Sequence, residues 1–379
     1  MGRSRAFIYS SRFGDFSYGT QHPFKLLRYR LTYELIEELG LLDNPATEVV
    51  ECPVATEEEV ARFHRADYLD VLREFNRDET PRANFFYGLG DVENPVFPGF
   101  YDWALLGTGG TLEAARRVAD GRNRVAFNMA GGWHHAHVAR ASGFSFLNDA
   151  VVAICHLLDR GLRVAYVDLD AHHGDGVQEA FYSDPRVLTV SMHETGDDFF
   201  PHTGYVHEMG EGEGEGFTLN VPFYRHADDR LFRRAFDTVV APVIERFAPD
   251  ILVTQLGVDT LRTDPLARLE MTTASLEYSA RWFRDSGLRW VALGGGGYNK
   301  VNVARGWALI WGAILGIELP DFLPPRFVQT ISALGFSDQR LRDPPHHPLD
   351  DDYRRAEEAL EERLEFLRRN FLPLHGIVG

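Results

Sequence analysis

Short, largely apolar runs alternate with longer amphipathic stretches through most of this chain. Residues 124–127, 163–167, 187–190, 251–256 and 290–293 are of the first kind, while 149–158, 231–247, 275–283 and 302–315 are of the second. A strand that is apolar at every position has no face to turn to water. The alternation therefore predicts an α/β fold with a mostly parallel central sheet and helices on both faces. No internal repeat and no Pro/Ser-rich linker divides the 379 residues, so one domain over 1–379 is expected. Near the end, Ala359, Leu360, Leu364, Leu367 and Phe371 recur at helical spacing among Arg and Glu. They predict an amphipathic helix over about 350–371, packed on the body or, as a second reading, on another chain. The Gly/Glu alternation at 210–216 reads as a flexible acidic turn.

In an open parallel sheet the ligand site lies beyond the carboxyl ends of the strands. Four predicted strands here end in reactive or special residues: Gly131-Gly132-Trp133-His134-His135-Ala136, then Asp168-Leu169-Asp170-Ala171-His172-His173-Gly174-Asp175-Gly176, then Gly257-Val258-Asp259, then Gly294-Gly295-Gly296-Gly297-Tyr298. A lone D-x-D-x-H run is weak evidence, because acids and histidines crowd ordinary loops. Four such endings converge only at an active site. Asp170, His172 and Asp259 make a three-ligand set for a divalent ion, with coordination left open for water and substrate. Two carboxylates neutralise a dication and blunt its effect on bound water, so a separate base is needed, and His134 and His135 are placed to supply it. Asp168 and Asp175 are candidates to hold their other ring nitrogens. Tyr298, after four glycines, is a donor for developing negative charge.

The formal charge of −17 argues against nucleic acid as a partner and suits a cationic one. Two cysteines, Cys52 and Cys155, give no disulfide framework or thiolate zinc cluster, which predicts a reducing, cytoplasmic setting. Residues 1–11 lack the apolar core of a signal peptide, Ala6 breaks a myristoylation match, and no segment is apolar enough to span a bilayer. Oligomeric state stays open.

The four quoted endings, together with Gln255-Leu256 before Gly257, closely resemble the zinc-dependent histone deacetylase family. The match is nearest to its class I-like branch, which includes bacterial acetoin utilization proteins of the AcuC type, and it runs over residues 22–315. The resemblance implies an arginase/deacetylase fold and hydrolysis of acetyl-lysine. Asp170, His172 and Asp259 would bind Zn²⁺, with Fe²⁺ as the alternative. His135 would be the general base and acid, His134 with Asp168 its electrostatic partner, and Tyr298 the oxyanion donor. Phe144 and Phe200 would wall an apolar tunnel, with Gly143 and Leu266 also lining it, Glu93 gripping substrate backbone at the rim, and Arg28 near an internal acetate exit. A structural K⁺ would use oxygens of Asp168 and Ser191 with the carbonyls of Asp170, His172 and Met192. A second K⁺ would fall near Phe181, Asp184 and Val187, where Phe217 replaces a frequent tyrosine. Pro265 and Val301 stand where eukaryotic members carry arginines for an inositol phosphate, so that assembly is not expected.

Three rival readings differ in testable ways. A two-metal ureohydrolase needs a carboxylate where Gly174 stands, and leaves His134 and His135 without a role. An acetylpolyamine amidohydrolase keeps the reaction, with Asp197 and Asp198 drawing a small cationic substrate to the mouth. A non-catalytic acyl-lysine binder has no need of Tyr298 or the ligand triad. The expected substrate is thus an acetylated protein or a small acetyl-amine.

Overall fold

The computed structural model describes residues 4–77 and 82–377. Eight strands, β1 (Arg5–Tyr9), β2 (Thr47–Glu51), β3 (Val125–Asn128), β4 (Val164–Asp168), β5 (Val187–Glu194), β6 (Thr218–Phe223), β7 (Ile251–Gln255) and β8 (Arg289–Leu293), form one sheet in the order β2-β1-β3-β8-β7-β4-β5-β6. Every neighbouring pair is parallel, so the sheet is more uniform than "mostly parallel". The strands β3, β4, β5, β6 and β7 are buried at every position, as the helical layers on both faces require.

Topology supplies what the strand patterns alone did not. The strands β3, β8, β7 and β4 are consecutive in the sheet, so their carboxyl ends lie side by side along one edge. Backbone pairing continues past those ends. Gly294 N donates to Asn128 O at 3.0 Å, Leu256 N to Gly294 O at 2.8 Å, Val258 N to Gly296 O at 3.0 Å and Leu169 N to Gln255 O at 3.0 Å. The loops that carry the chemistry are therefore extensions of the sheet, held by the same ladder.

Three strands escaped the sequence pattern, each for a physical reason. The edge strand β2 is half-exposed, β6 carries Asn220 and Pro222, and β1 is a five-residue run that opens on Arg5 and is only half-buried at both ends. Proline is tolerated in β6 because that strand pairs on one side only, with β5. The helix Asp350–Asn370 packs against β6, and its buried stripe is Ala356, Leu360, Leu364 and Leu367, continued by Phe371. The expected Ala359 is half-buried, because the stripe drifts with the 3.6-residue period. The 210–216 turn is no loose loop either: Gly214 is buried, and Glu211 N donates to Tyr182 O at 3.0 Å.

Candidate active site

The loop after β4 and the loop after β7 bring three ligand atoms together. Asp170, His172 and Asp259 are buried, and one ligand atom of each lies within 4.8 Å of the others. His172 Nδ1 is 3.1 Å from Asp170 Oδ1 and 3.0 Å from Asp259 Oδ2. The remaining carboxylate oxygens are held elsewhere. Asp170 Oδ2 accepts from Gln255 Nε2 at 2.5 Å and from Gly296 N at 2.7 Å, and Asp259 Oδ1 accepts from Ala171 N at 2.8 Å. A Cβ on Gly296 would collide with the Asp259 and Asp170 carboxylates, so glycine is needed there for space.

The electrostatics of the cluster fit a cation. Burial and the facing Asp170 carboxylate push Asp259 up to about 8. Burial opposes charge on His172 too, yet hydrogen bonding of the ring to the two carboxylates raises it to about 10. Two buried carboxylates this close together need positive charge between them, and a proton on His172 supplies it. A divalent ion would replace that proton with better charge balance, and two oxygens and one imidazole nitrogen suit Zn²⁺ or Fe²⁺.

The loop after β3 delivers two histidines whose environments push them apart. His134 Nδ1 is 2.7 Å from Asp168 Oδ2, and His135 Nδ1 is 2.7 Å from Asp175 Oδ1. Burial opposes charge on His134, but the carboxylates of Asp168 and Asp170 outweigh it and hold the ring charged to about 9. His135 is driven down to about 4 by burial and by the charge of His134, whose ring centroid is 4.0 Å away. One ring is thus an imidazolium and its neighbour a free base, which is how acid and base roles are separated at one pH. Asp149 fixes the turn that presents them: its Oδ1 accepts from Trp133 N at 2.7 Å and its Oδ2 from Gly132 N at 3.0 Å.

Two cavities meet at these groups. The outer one, open to solvent, includes Glu93, Phe200, Leu266 and His172 in its lining, and the inner one, far narrower, includes Arg28, His134 and Asp170. His135, Gly143, Phe144 and Tyr298 line both, so they form the neck. Phe144 meets the Tyr298 ring edge-on at 5.8 Å, and Phe200 meets His135 at 5.0 Å. Asp264 Oδ2 accepts from Tyr298 N at 2.7 Å, while the phenol hydroxyl is bonded to no described residue. Arg28 Nη1 and Nη2 donate to Gly297 O and Gly295 O at 3.0 and 2.8 Å. Its Nε is buried with no partner, and no carboxylate pairs with it among the described residues.

Comparison with known proteins places this geometry. Residues 22–314 match the model of the histone deacetylase domain. The chain belongs to the histone deacetylase family. It is 38% identical to the acetoin utilization protein AcuC of Bacillus subtilis over 334 residues, covering 86% of each chain. It is 36% identical to human histone deacetylase 1, covering 85% of this chain and 67% of that one. The crystal structure of a histone deacetylase homologue from Aquifex aeolicus superposes with a TM-score of 0.88 at 32% identity, over 96% of this chain and 99% of that one. The all-parallel sheet with its helices is therefore the arginase/deacetylase fold expected from the sequence.

Other positions expected from the histone deacetylase resemblance fall as follows. Asp168 and Ser191 are register partners on β4 and β5, with Met192 next along β5 and Asp170 and His172 in the adjoining loop. Ser191 Oγ lies 2.8 Å from His193 Nδ1, and Asp168 Oδ2 also accepts from Tyr166 at 2.6 Å. At the second cation position the carbonyls of Phe181 and Asp184 accept from Asp184 N and Val187 N at 3.0 and 3.2 Å, and the Asp184 carboxylate pairs with Arg186. Phe217 packs edge-on against Phe247 at 5.9 Å. Glu93 accepts from Gly143 N, which ties the rim to the tunnel wall. Val301 is fully buried and Pro265 is exposed. At the mouth, Asp198 is not a free acid: both its oxygens are 2.8 Å from Arg268. Asp197 accepts from Thr195 Oγ1 at 3.0 Å.

Sequence reasoning missed Asp149 and Asp264 and gave Gln255 no role. Gln255 stood inside a recognised motif, which was a usable signal. Asp149 and Asp264 act by accepting backbone N–H groups from a distant loop, and nothing local marks them.

Proposed function

We propose that this histone deacetylase family hydrolase removes acetyl groups from lysine side chains of proteins. The observation that carries this reading is the neck: a free-base imidazole, an imidazolium, an unengaged phenol and a three-ligand cluster meet where a tunnel joins an inner cavity. Asp170, His172 and Asp259 would hold Zn²⁺, or Fe²⁺, which when bound supplies Lewis acidity toward water and the acetyl carbonyl. His135, with Nδ1 fixed on Asp175, presents Nε2 to take a proton from the attacking water. The C–O bond forms, and the Tyr298 hydroxyl and the charged His134 face the negative charge that develops on the former carbonyl oxygen. His135 then returns the proton to the leaving nitrogen as the C–N bond breaks. The inner cavity, with the uncompensated Arg28 guanidinium, suits the acetate product. Phe144 and Phe200 form walls that fit the lysine methylenes.

The same reading assigns K⁺ to the oxygens of Asp168, Asp170, His172, Ser191 and Met192 as a structural ion. Free Cys52 and Cys155 support a cytoplasmic setting, and no described helix is long and apolar enough to cross a membrane. Protein lysine is favoured over acetylated polyamines because Arg268 neutralises Asp198 at the mouth. A two-metal ureohydrolase is disfavoured because the described residues hold one candidate cluster, of three ligands.

The test is a side-by-side rate assay on an acetyl-lysine peptide and an acetylated polyamine, using protein purified without added metal and assayed after chelation and reloading. The expected result is peptide turnover that is lost on chelation and restored by Zn²⁺ or Fe²⁺. Faster polyamine turnover would reassign the substrate, and metal uptake without turnover of either would indicate a binder.

A further inference from the structure

The mouth carries more apolar surface than tunnel entry requires. Among the described residues, Phe85 is 67% exposed, Phe86 73% and Val92 93%, although large apolar side chains normally find cover. Val138 and Leu266 are each 37% exposed on the adjoining loops. Phe85, Phe86 and Val92 lie on the loop that leads to Glu93, and Val138 on the loop that leads to Gly143. Val92 directly precedes Glu93, and Leu266 itself lines the outer cavity.

The loop bearing the phenylalanines is held to the tunnel wall. Arg140 Nη1 donates to Phe85 O and Phe86 O at 3.2 and 3.4 Å, Tyr87 O accepts from Ala141 N at 2.9 Å, and Glu93 accepts from Gly143 N. Gly88 leaves no room for a Cβ against the Ala141 carbonyl, so the two loops meet backbone to backbone. Aromatic side chains exposed on a braced loop are poised to bind at low entropic cost.

We infer that Phe85, Phe86 and Val92 form a docking ledge for the substrate protein, taking an apolar side chain one or two positions from the acyl-lysine in the tunnel. The occupant is the substrate segment itself, because the ledge is continuous through Glu93 and Gly143 with the mouth. This inference rests on the deacetylase reading and adds sequence selectivity to it.

The experiment uses the metal-loaded enzyme and its F85S/F86S variant on three substrates: a minimal acetyl-lysine amide, a peptide with acetyl-lysine flanked by glycines, and one flanked by leucine or phenylalanine. Wild type is expected to favour the apolar-flanked peptide by about ten-fold in kcat/KM, mostly through KM, with F85S/F86S losing that preference and keeping its rate on the minimal amide. Equal rates on both peptides for wild type would overturn the inference. So would equal loss on all three substrates in the variant, which marks a structural role, or a dimer in solution that the variant dissolves, which makes a second copy the occupant. Wild type without turnover of any substrate would refute the deacetylase reading. Fluorescence anisotropy of the two labelled peptides would then still decide the ledge, a shared affinity counting against it.

Discussion

The inner site and the mouth of the tunnel are built by different means. Inside, the ligand cluster and both histidines follow strands β3, β4 and β7, buried, with the carboxylates and each ring Nδ1 held by a named partner. At the mouth, loops carry half-buried or exposed side chains, and the contacts are surface ion pairs and rings facing water. Chemistry that needs positions fixed to a fraction of an ångström rests on the ladder, whereas selection of the substrate rests on loops that tolerate change. Substitutions inside should therefore act on kcat or metal content, and those outside on KM.

The largest separation is expected at Tyr298, which lies in the neck yet ligates nothing. Tyr298→Phe removes only the hydroxyl, so kcat should fall by about 10²–10³-fold while metal content and KM stay near wild type. Steady-state kinetics with metal analysis on the same sample checks both halves. Unchanged kcat would show that the phenol is not the oxyanion donor.

Gln255 comes next. Its Nε2 holds Asp170 Oδ2, so Gln255→Ala frees the carboxylate without removing a ligand. Metal affinity is expected to drop by roughly 10–100-fold, with activity recovered at saturating metal. Activity that stays low at full occupancy would mean that Gln255 does more than orient Asp170.

These two residues also show what was legible in the sequence. Tyr298, the histidine pair and the ligand triad stand immediately after apolar runs, so strand periodicity and residue chemistry together located them. The sheet order, which sets β3, β8, β7 and β4 side by side, is a tertiary fact that periodicity does not contain. Asp264 is the counterexample within the site. It holds the Tyr298 backbone across 34 residues of chain, and in sequence it is one more aspartate before a proline. The mouth shows the same limit: Asp198 stood among the acids expected to draw a cation, and its partner Arg268 lies 70 residues away. Edge strands β2 and β6 were missed because an edge does not demand an unbroken apolar run.

A smaller effect ties the inner site to pH. With no cation bound, His172 keeps a proton up to about 10, so metal uptake must release it. A group with a raised pKa is protonated below it, so competition with metal grows as pH falls. Affinity should rise with pH through the neutral range, with protons released on metal uptake from His172 and, below about 8, from Asp259 as well. Titration calorimetry in buffers of different ionisation enthalpy measures the protons released. A pH-independent affinity would mean that the cluster is already deprotonated and charge-balanced without metal.

The smallest effects belong to the mouth, where one pair of substitutions asks whether Asp198 recruits cations. Asp198 is 60% exposed at its side chain and paired with Arg268, which is also anchored by Glu194 beneath it. A surface pair of this kind is worth about 0–1 kcal/mol, so Asp198→Asn should change KM by no more than roughly five-fold, alike for an acetyl-lysine peptide and an acetylated polyamine. Arg268→Gln is the sharper member of the pair. It uncovers Asp198 and leaves Glu194 without its guanidinium, so net negative charge at the mouth rises. KM for the cationic polyamine should then fall by a few-fold relative to the peptide, and the gain should fade in high salt. If Asp198→Asn alone weakens the polyamine selectively, the carboxylate was already available in the wild type, and the mouth is built for small cations after all.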